Sequence, residues 1–199
     1  MALTVTSPAF EPLGSIPRQF TRADANISPP VEWHDPPAGT RSFTLIVEDP
    51  DAPRGVFRHW AVYDIPAASS CLQRGAGSAE AVMRLKMGRN DFGNSRYDGP
   101  QPPAGDAAHH YHFRLLALRV AELKLPPQTR ASDILAAAEA ECLEQAEVVG
   151  LFESPDNGQR GTPHPGIADA DKLARTGSVD EPVRDTPPAG AWNDVAGNE

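Results

Sequence analysis

Cysteine is scarce in this chain. Cys71 and Cys142 are its only two, with no C-x-x-C spacing, which excludes a disulfide-stapled scaffold and a structural zinc site and predicts a reducing compartment. Positive charge is also in deficit: 18 Lys and Arg stand against 27 Asp and Glu, a net charge of -9. Nucleic acid and anionic membrane surfaces recruit proteins through basic patches and counterion release, so neither is expected as the main partner. Long apolar runs are missing. No stretch approaches the ~20 residues of a membrane span, and the opening MALTVTSPAFEPLGSIPRQF lacks a basic region followed by an apolar one. The expectation is a cytoplasmic protein without stable membrane insertion. Catalytic signatures are absent too: there is no G-x-S-x-G, H-E-x-x-H, G-x-x-x-x-G-K-[ST] or dinucleotide glycine pattern. Neither cysteine stands beside a histidine or a basic cluster in sequence, so no catalytic residue is nominated and no enzyme is expected.

What the chain does have is apolar content for one sizeable core, 40% hydrophobic over 199 residues. Composition shifts near Glu153. Residues 154–199 are rich in proline and glycine, poor in large apolar side chains and without periodicity. Such a segment cannot bury enough apolar area to offset its ordering entropy. The division expected is one domain over 1–153 and a disordered tail over 154–199, with docking through Trp192 as the alternative use of that tail.

Within 1–153 the pattern is mostly strand. SFTLIVED, 42–49, is β-branched, aromatic and continuously apolar, which marks a central strand. HWAVYDI, 59–65, is a second apolar run, stopped by Pro66. HYHFRLLALRV, 110–120, alternates. Tyr111, Phe113, Leu115 and Ala117 fall on one face, which reads as core, and His112, Arg114, Leu116 and Leu118 fall on the other. A helix is expected over SDILAAAEAECLEQAE, 132–147, with Ser132 as N-cap and a stripe of Ile134, Ala138, Cys142 and Ala146. A last strand follows at VVGLFE. These elements predict a mainly antiparallel β-sandwich with a peripheral C-terminal helix.

Polar residues cluster where strands end. Asp49 and Asp51 flank Pro50 in EDPDAPRGVFRHW. Asp51 reads as a turn former that bonds its own backbone, whereas Asp49 closes an otherwise apolar strand and is the stronger site candidate. His59 heads the next strand, and histidine suits anion binding through two distinct nitrogens and a pKa near 6.5. A proline- and glycine-built loop in YDGPQPPAGDAAHHYHF then delivers His109, His110, Tyr111 and His112 to one place. His110 and His112 share a face and invite a metal reading, but no third ligand stands at familiar spacing, so no metal is assigned.

Taken in order, DPDAP at 49–53, HW at 59–60 and YDGPQPPAGDAAHHYHF at 97–113 resemble the phosphatidylethanolamine-binding protein family. NISPPVEW at 26–33 and GRNDFG at 88–93 resemble its bacterial branch, often called Raf-kinase-inhibitor-like proteins. The resemblance covers roughly residues 7–153 and implies a β-sandwich with a small pocket at one end for phosphate-like anions or phosphorylated head groups. Carried over by position, Asp49 is the pocket carboxylate and His59 the histidine opening the next strand. His109 and Tyr111 form the H-x-Y element, and Pro102 and Pro103 the wall. His110 departs from the arginine common in that branch.

Imidazole N–H groups and the Tyr111 hydroxyl could donate to a phosphate. Asp49 would either accept a proton-bearing ligand oxygen or hold a histidine correctly turned. The function expected is non-enzymatic binding of a small anionic ligand, with no cofactor. A regulatory protein that inhibits a kinase or protease is the alternative, and a hydrolase using His109 and Asp49 is a third reading. Oligomeric state and the roles of His110 and His112 stay open.

Overall fold

The computed structural model describes residues 1–78 and 85–155. The expected tail, apart from Ser154 and Pro155, therefore lies outside the described residues, as does Trp192. Two antiparallel sheets form the fold. The smaller joins β1 (Thr4–Thr6), β2 (Val31–His34) and β5 (Cys71–Leu72) in the order β1-β2-β5. The larger joins β3 (Ser42–Asp49), β4 (Phe57–Pro66), β6 (Lys86–Met87), β7 (His109–Leu118) and β8 (Cys142–Phe152) in the order β6-β4-β3-β7-β8. The one α-helix among the described residues, α1 (Ala131–Ala140), precedes β8.

The main core lies between the sheets: Val5, Val31, Trp33 and Leu72 from the small sheet meet Phe43, Leu45, Val47, Trp60, Val62, Phe113 and Leu115 from the large one. On the opposite face of the large sheet, Ile46, Ala61, Tyr63, Leu116 and Leu118 pack against Ala131, Ile134, Leu135 and Ala138 of α1. The molecule is thus small sheet, large sheet, helix. This layering explains why all eight residues of β3 are buried: a central strand covered on both faces reads as continuous apolar sequence rather than as alternation. It also corrects the reading of β7, whose second face is buried beneath α1 at Leu116 and Leu118 as deeply as its first.

The helix is shorter than its sequence suggests. It ends at Ala140, and 142–147 continue as strand, paired with β7 from Leu118↔Cys142 to His109↔Phe152 with one bulge, at Leu143. Helix propensity loses here because β7 would otherwise present an unpaired row of N–H and C=O groups. Of the expected stripe, Ile134 and Ala138 lie on α1, while Cys142 and Ala146 belong to β8. Ser132 is not the cap either. The N-cap is Arg130, without a side-chain bond, and the Ala131 N–H donates to Arg89 O at 2.9 Å. Strand β4 begins two residues earlier than expected, so His59 is its third residue.

Ile134 is fully buried against the large sheet. Ile134→Ala should cost about 2–5 kcal/mol in urea unfolding, while ligand binding at the opposite face is retained. A cost below ~1 kcal/mol would contradict a load shared between helix and sheet.

Candidate functional site

An irregularity at the rim of the large sheet shapes the site. Val47 pairs with Trp60 but Glu48 pairs with Arg58, so His59 is one residue too many on β4. Such bulges re-aim a side chain and interrupt the ladder. The His59 carbonyl accepts instead from the Asp98 N–H at 3.2 Å and from Asn90 Nδ2 at 3.1 Å. Its ring Nδ1 lies 2.8 Å from Asp98 O and 3.1 Å from Gly99 O. Carbonyls only accept, so Nδ1 carries the proton.

Asp98 is the anchor of this corner, with a fully buried side chain. Its Oδ1 accepts from Arg22 Nη1 at 3.0 Å and Asn26 Nδ2 at 3.2 Å, and its Oδ2 from Asn90 Nδ2 at 2.9 Å and Asn94 Nδ2 at 2.8 Å. Arg96 adds a longer ion pair at 3.6 Å. A buried carboxylate is tolerable only with this density of donors. Arg22 also stacks on the Phe92 ring, 4.0 Å from its centroid. Next in sequence, Gly99 must be glycine: a Cβ there would stand 2.1 Å from Phe20 O.

On the other side, β7 opens with His109 beside the end of β3. His109 Nδ1 and Asp49 Oδ2 are 2.8 Å apart, and Asp49 Oδ1 accepts from the Asp51 N–H at 2.9 Å. The self-bonding turn role expected of Asp51 thus belongs to Asp49. Asp51 Oδ2 accepts instead from the backbone N–H and the ring Nδ1 of His110, each at 2.8 Å. The His110 N–H, aided by its ring, holds the Asp51 carboxyl below its ordinary value. His112 pairs with Glu147 at 3.1 Å. The histidine run is therefore divided among three carboxylates, and no cluster of three metal-ligating side chains occurs among the described residues.

Asp49, His59, Pro102, Pro103 and His109 line one cavity of about 170 Å³, joined by Gln101 and by an apolar wall of Ala52, Pro53, Phe57 and Phe92. Drug-sized ligand sites run to about 300–1,000 Å³, so this one suits a small molecule or a small head group. Phe57 and Phe92 meet edge to face at 4.6 Å and both turn their rings to His59. Tyr111 is placed differently from the other five candidates. It is fully buried, lies against the rings of His59 (5.3 Å) and His109 (6.5 Å), and is not part of the cavity wall. Its hydroxyl has no hydrogen-bond partner among the described residues, although burial and the nearby Asp49 charge hold the phenol well above its ordinary value.

Sequence reasoning passed over Asp98, Asn90, Phe57 and Phe92. GRNDFG stands out as a motif, but nothing in it says that Asn90 and Phe92 face a histidine from another strand. Asp98 followed by Gly99 reads as an ordinary turn.

Burial holds the His59 imidazole below its ordinary value, against the raising influence of the Asp98 carbonyl and the Asp49 charge. The unfolded chain then binds protons more readily, so the stability contributed by neutral His59 is complete above about pH 6.5 and is lost as pH falls below it. Urea midpoints should drop between pH 7.5 and 5, and less steeply in His59→Gln. Equal slopes in the two proteins would contradict the shift. Asp98→Ala strands its buried donors and should cost about 3 kcal/mol or more; a loss under ~1 kcal/mol would mean that the network does not hold this corner.

Comparison with known proteins agrees with this architecture. Residues 6–153 match the family model for phosphatidylethanolamine-binding protein. A UPF0098 protein of Aquifex aeolicus is 41% identical over 151 residues, 76% of this chain and 88% of that one. A Mycobacterium tuberculosis relative whose name, LppC, marks it as a candidate lipoprotein is 39% identical across 76% of this chain and 72% of its own length. The crystal structure of Escherichia coli YbcL, described as a new member of the mammalian PEBP family, matches with a TM-score of 0.74 at 29% identity, over 77% of this chain and 99% of that one. This chain belongs to the phosphatidylethanolamine-binding protein family.

Proposed function

We propose that the cavity is a receptor for a small phosphate-like anion or phosphorylated head group, held without chemical change. The observation that carries this reading is convergence: Asp49, His59 and His109 come from three strands and are each about 95% buried or more, yet they line one small space. Each imidazole has its Nδ1 engaged by the protein and its Nε2 left over for a ligand. The proline-flanked walls restrict motion, so little ordering entropy is lost on binding. Of the two roles considered for Asp49, the geometry favours turning His109.

The same Asp49–His109 pair has the form of a base with its orienting carboxylate, which gives the hydrolase reading a specific footing. Against it, the cavity wall holds no Ser, Thr or Cys among the described residues, so the base has no hydroxyl or thiol nucleophile beside it to activate. Regulation of a kinase or protease is a separate proposal, decided by pull-down with and without phosphate. The cytoplasm remains the proposed compartment on the strength of two free cysteines. The name of the mycobacterial relative points elsewhere, and cell fractionation decides. No helix among the described residues is long and apolar enough to cross a membrane.

Calorimetric titration with phosphate and phosphoethanolamine tests the receptor reading. One charge-assisted hydrogen bond at about 1.5–3 kcal/mol amounts to at least ~10-fold in affinity. The double variant His59→Ala, His109→Ala should lose that much while retaining its circular dichroism. Unchanged affinity would defeat the proposal, and phosphoester turnover abolished by His109→Ala would replace it with the hydrolase.

A further inference from the structure

The hydrogen-bonding character of the cavity says more about its ligand than its shape does. His59 Nδ1 faces two carbonyls at 2.8 and 3.1 Å, so the neutral ring has a bare lone pair at Nε2. His109 is fixed in the same sense by Asp49 Oδ2 at 2.8 Å. Its Nε2 is 3.7 Å from Asp106 Oδ2, beyond hydrogen-bond reach. Asp49 itself only accepts. The polar wall therefore offers two ring lone pairs and a carboxylate, with Gln101 as its amide.

Among the described residues no Lys or Arg lines the cavity. The Asp49 and Asp98 charges act on His59, Tyr111 lies edge-on to its ring, His109 shares its cavity wall, and the cations of that corner are Arg22 and Arg96. Both arginines are engaged by Asp98. A bare dianion entering this space meets the Asp49 carboxylate and two ring lone pairs, and no cationic side chain among the described residues of the wall neutralises it.

We propose that the cavity admits its anion only together with a proton, and so selects a hydrogen phosphate-type acid over an anion, such as sulfate, that brings none. The inference rests on the anion reading above and names the protonation state which that site accepts. The proton lies between a ligand oxygen and a ring Nε2, most directly that of His59. Whether the ligand delivers it or the ring takes it from solvent, the bound assembly has the same composition. With the proton in place, one lone-pair repulsion becomes a charge-assisted hydrogen bond, and Asp49 keeps His109 oriented beside it. Burial, which disfavours charge on the empty His59 ring, is offset once an anion occupies the cavity.

Inorganic phosphate and sulfate are the probes, titrated calorimetrically into the full-length chain from pH 5.5 to 8 in buffers of differing ionisation heat, which counts the protons taken up. Phosphate should bind at least ~10-fold more tightly than sulfate at pH 7.5. Sulfate affinity should rise about tenfold for each unit of pH lowered, the slope of one proton per anion. Sulfate that binds as tightly as phosphate at pH 8, without proton uptake, overturns proton selection and leaves the anion receptor standing. Failure of both anions to bind at any pH overturns the receptor reading and this inference with it. In His59→Gln the pH dependence of sulfate binding should flatten; the wild-type titrations decide the matter if that variant does not fold.

Discussion

A fully buried carboxylate, Asp98, is the constraint on which this structure turns. A charge removed from water must be met by donors, and Arg22, Asn26, Asn90 and Asn94 meet it from two separate segments. The backbone of the same residue closes on His59 from both sides, its N–H on the histidine carbonyl and its carbonyl on the imidazole. Electrostatic satisfaction of one side chain therefore fixes three things: where the loop after β6 runs, how the β4 bulge is held, and which tautomer His59 adopts. Phe92 is brought to the cavity by the same corner, its ring capped by Arg22.

The layering of the fold supplies the other half of the site. Because β3 is covered on both faces, it is a rigid central strand, and its end at Asp49 is a fixed point. β7 lies beside it over seven paired residues, which brings His109 to Asp49. Tyr111, one step inward on the same face, fills the space behind both imidazoles rather than the cavity itself. The result is a small apolar-walled space whose polar atoms are held from behind by backbone carbonyls and by Asp49, with Nε2 of each ring left unspent. Rigid positioning of acceptors, with no cationic side chain among the described residues of the wall, makes the proton inventory of the ligand a natural basis for selection.

Much of this could be read from residues alone. The continuous apolar run of β3, the alternation of β7 and the polar endings at Asp49, His59 and His109 follow from local composition, and the ordered motifs gave the family. What could not be read depends on distant partners. The segment 142–147 has helical composition, and only the open edge of β7 turns it into strand. Asp49 and Asp51 look alike in DPDAP; which one bonds within the turn is decided by where His109 and His110 arrive. Asp98 in YDG has the local look of a turn residue, since its four side-chain donors lie between 4 and 76 positions away. Tyr111 carries a hydroxyl that suggests the cavity, yet its ring is needed to pack the core.

Crystals soaked in phosphate give the most direct measurement. Density for the anion is expected within the cavity, with an oxygen about 2.6–3.2 Å from His59 Nε2, the Asp98 contacts unchanged and the His109–Asp49 pair intact. Anion density at the outer surface beside Arg18, with this cavity holding only water at saturating phosphate, would contradict it.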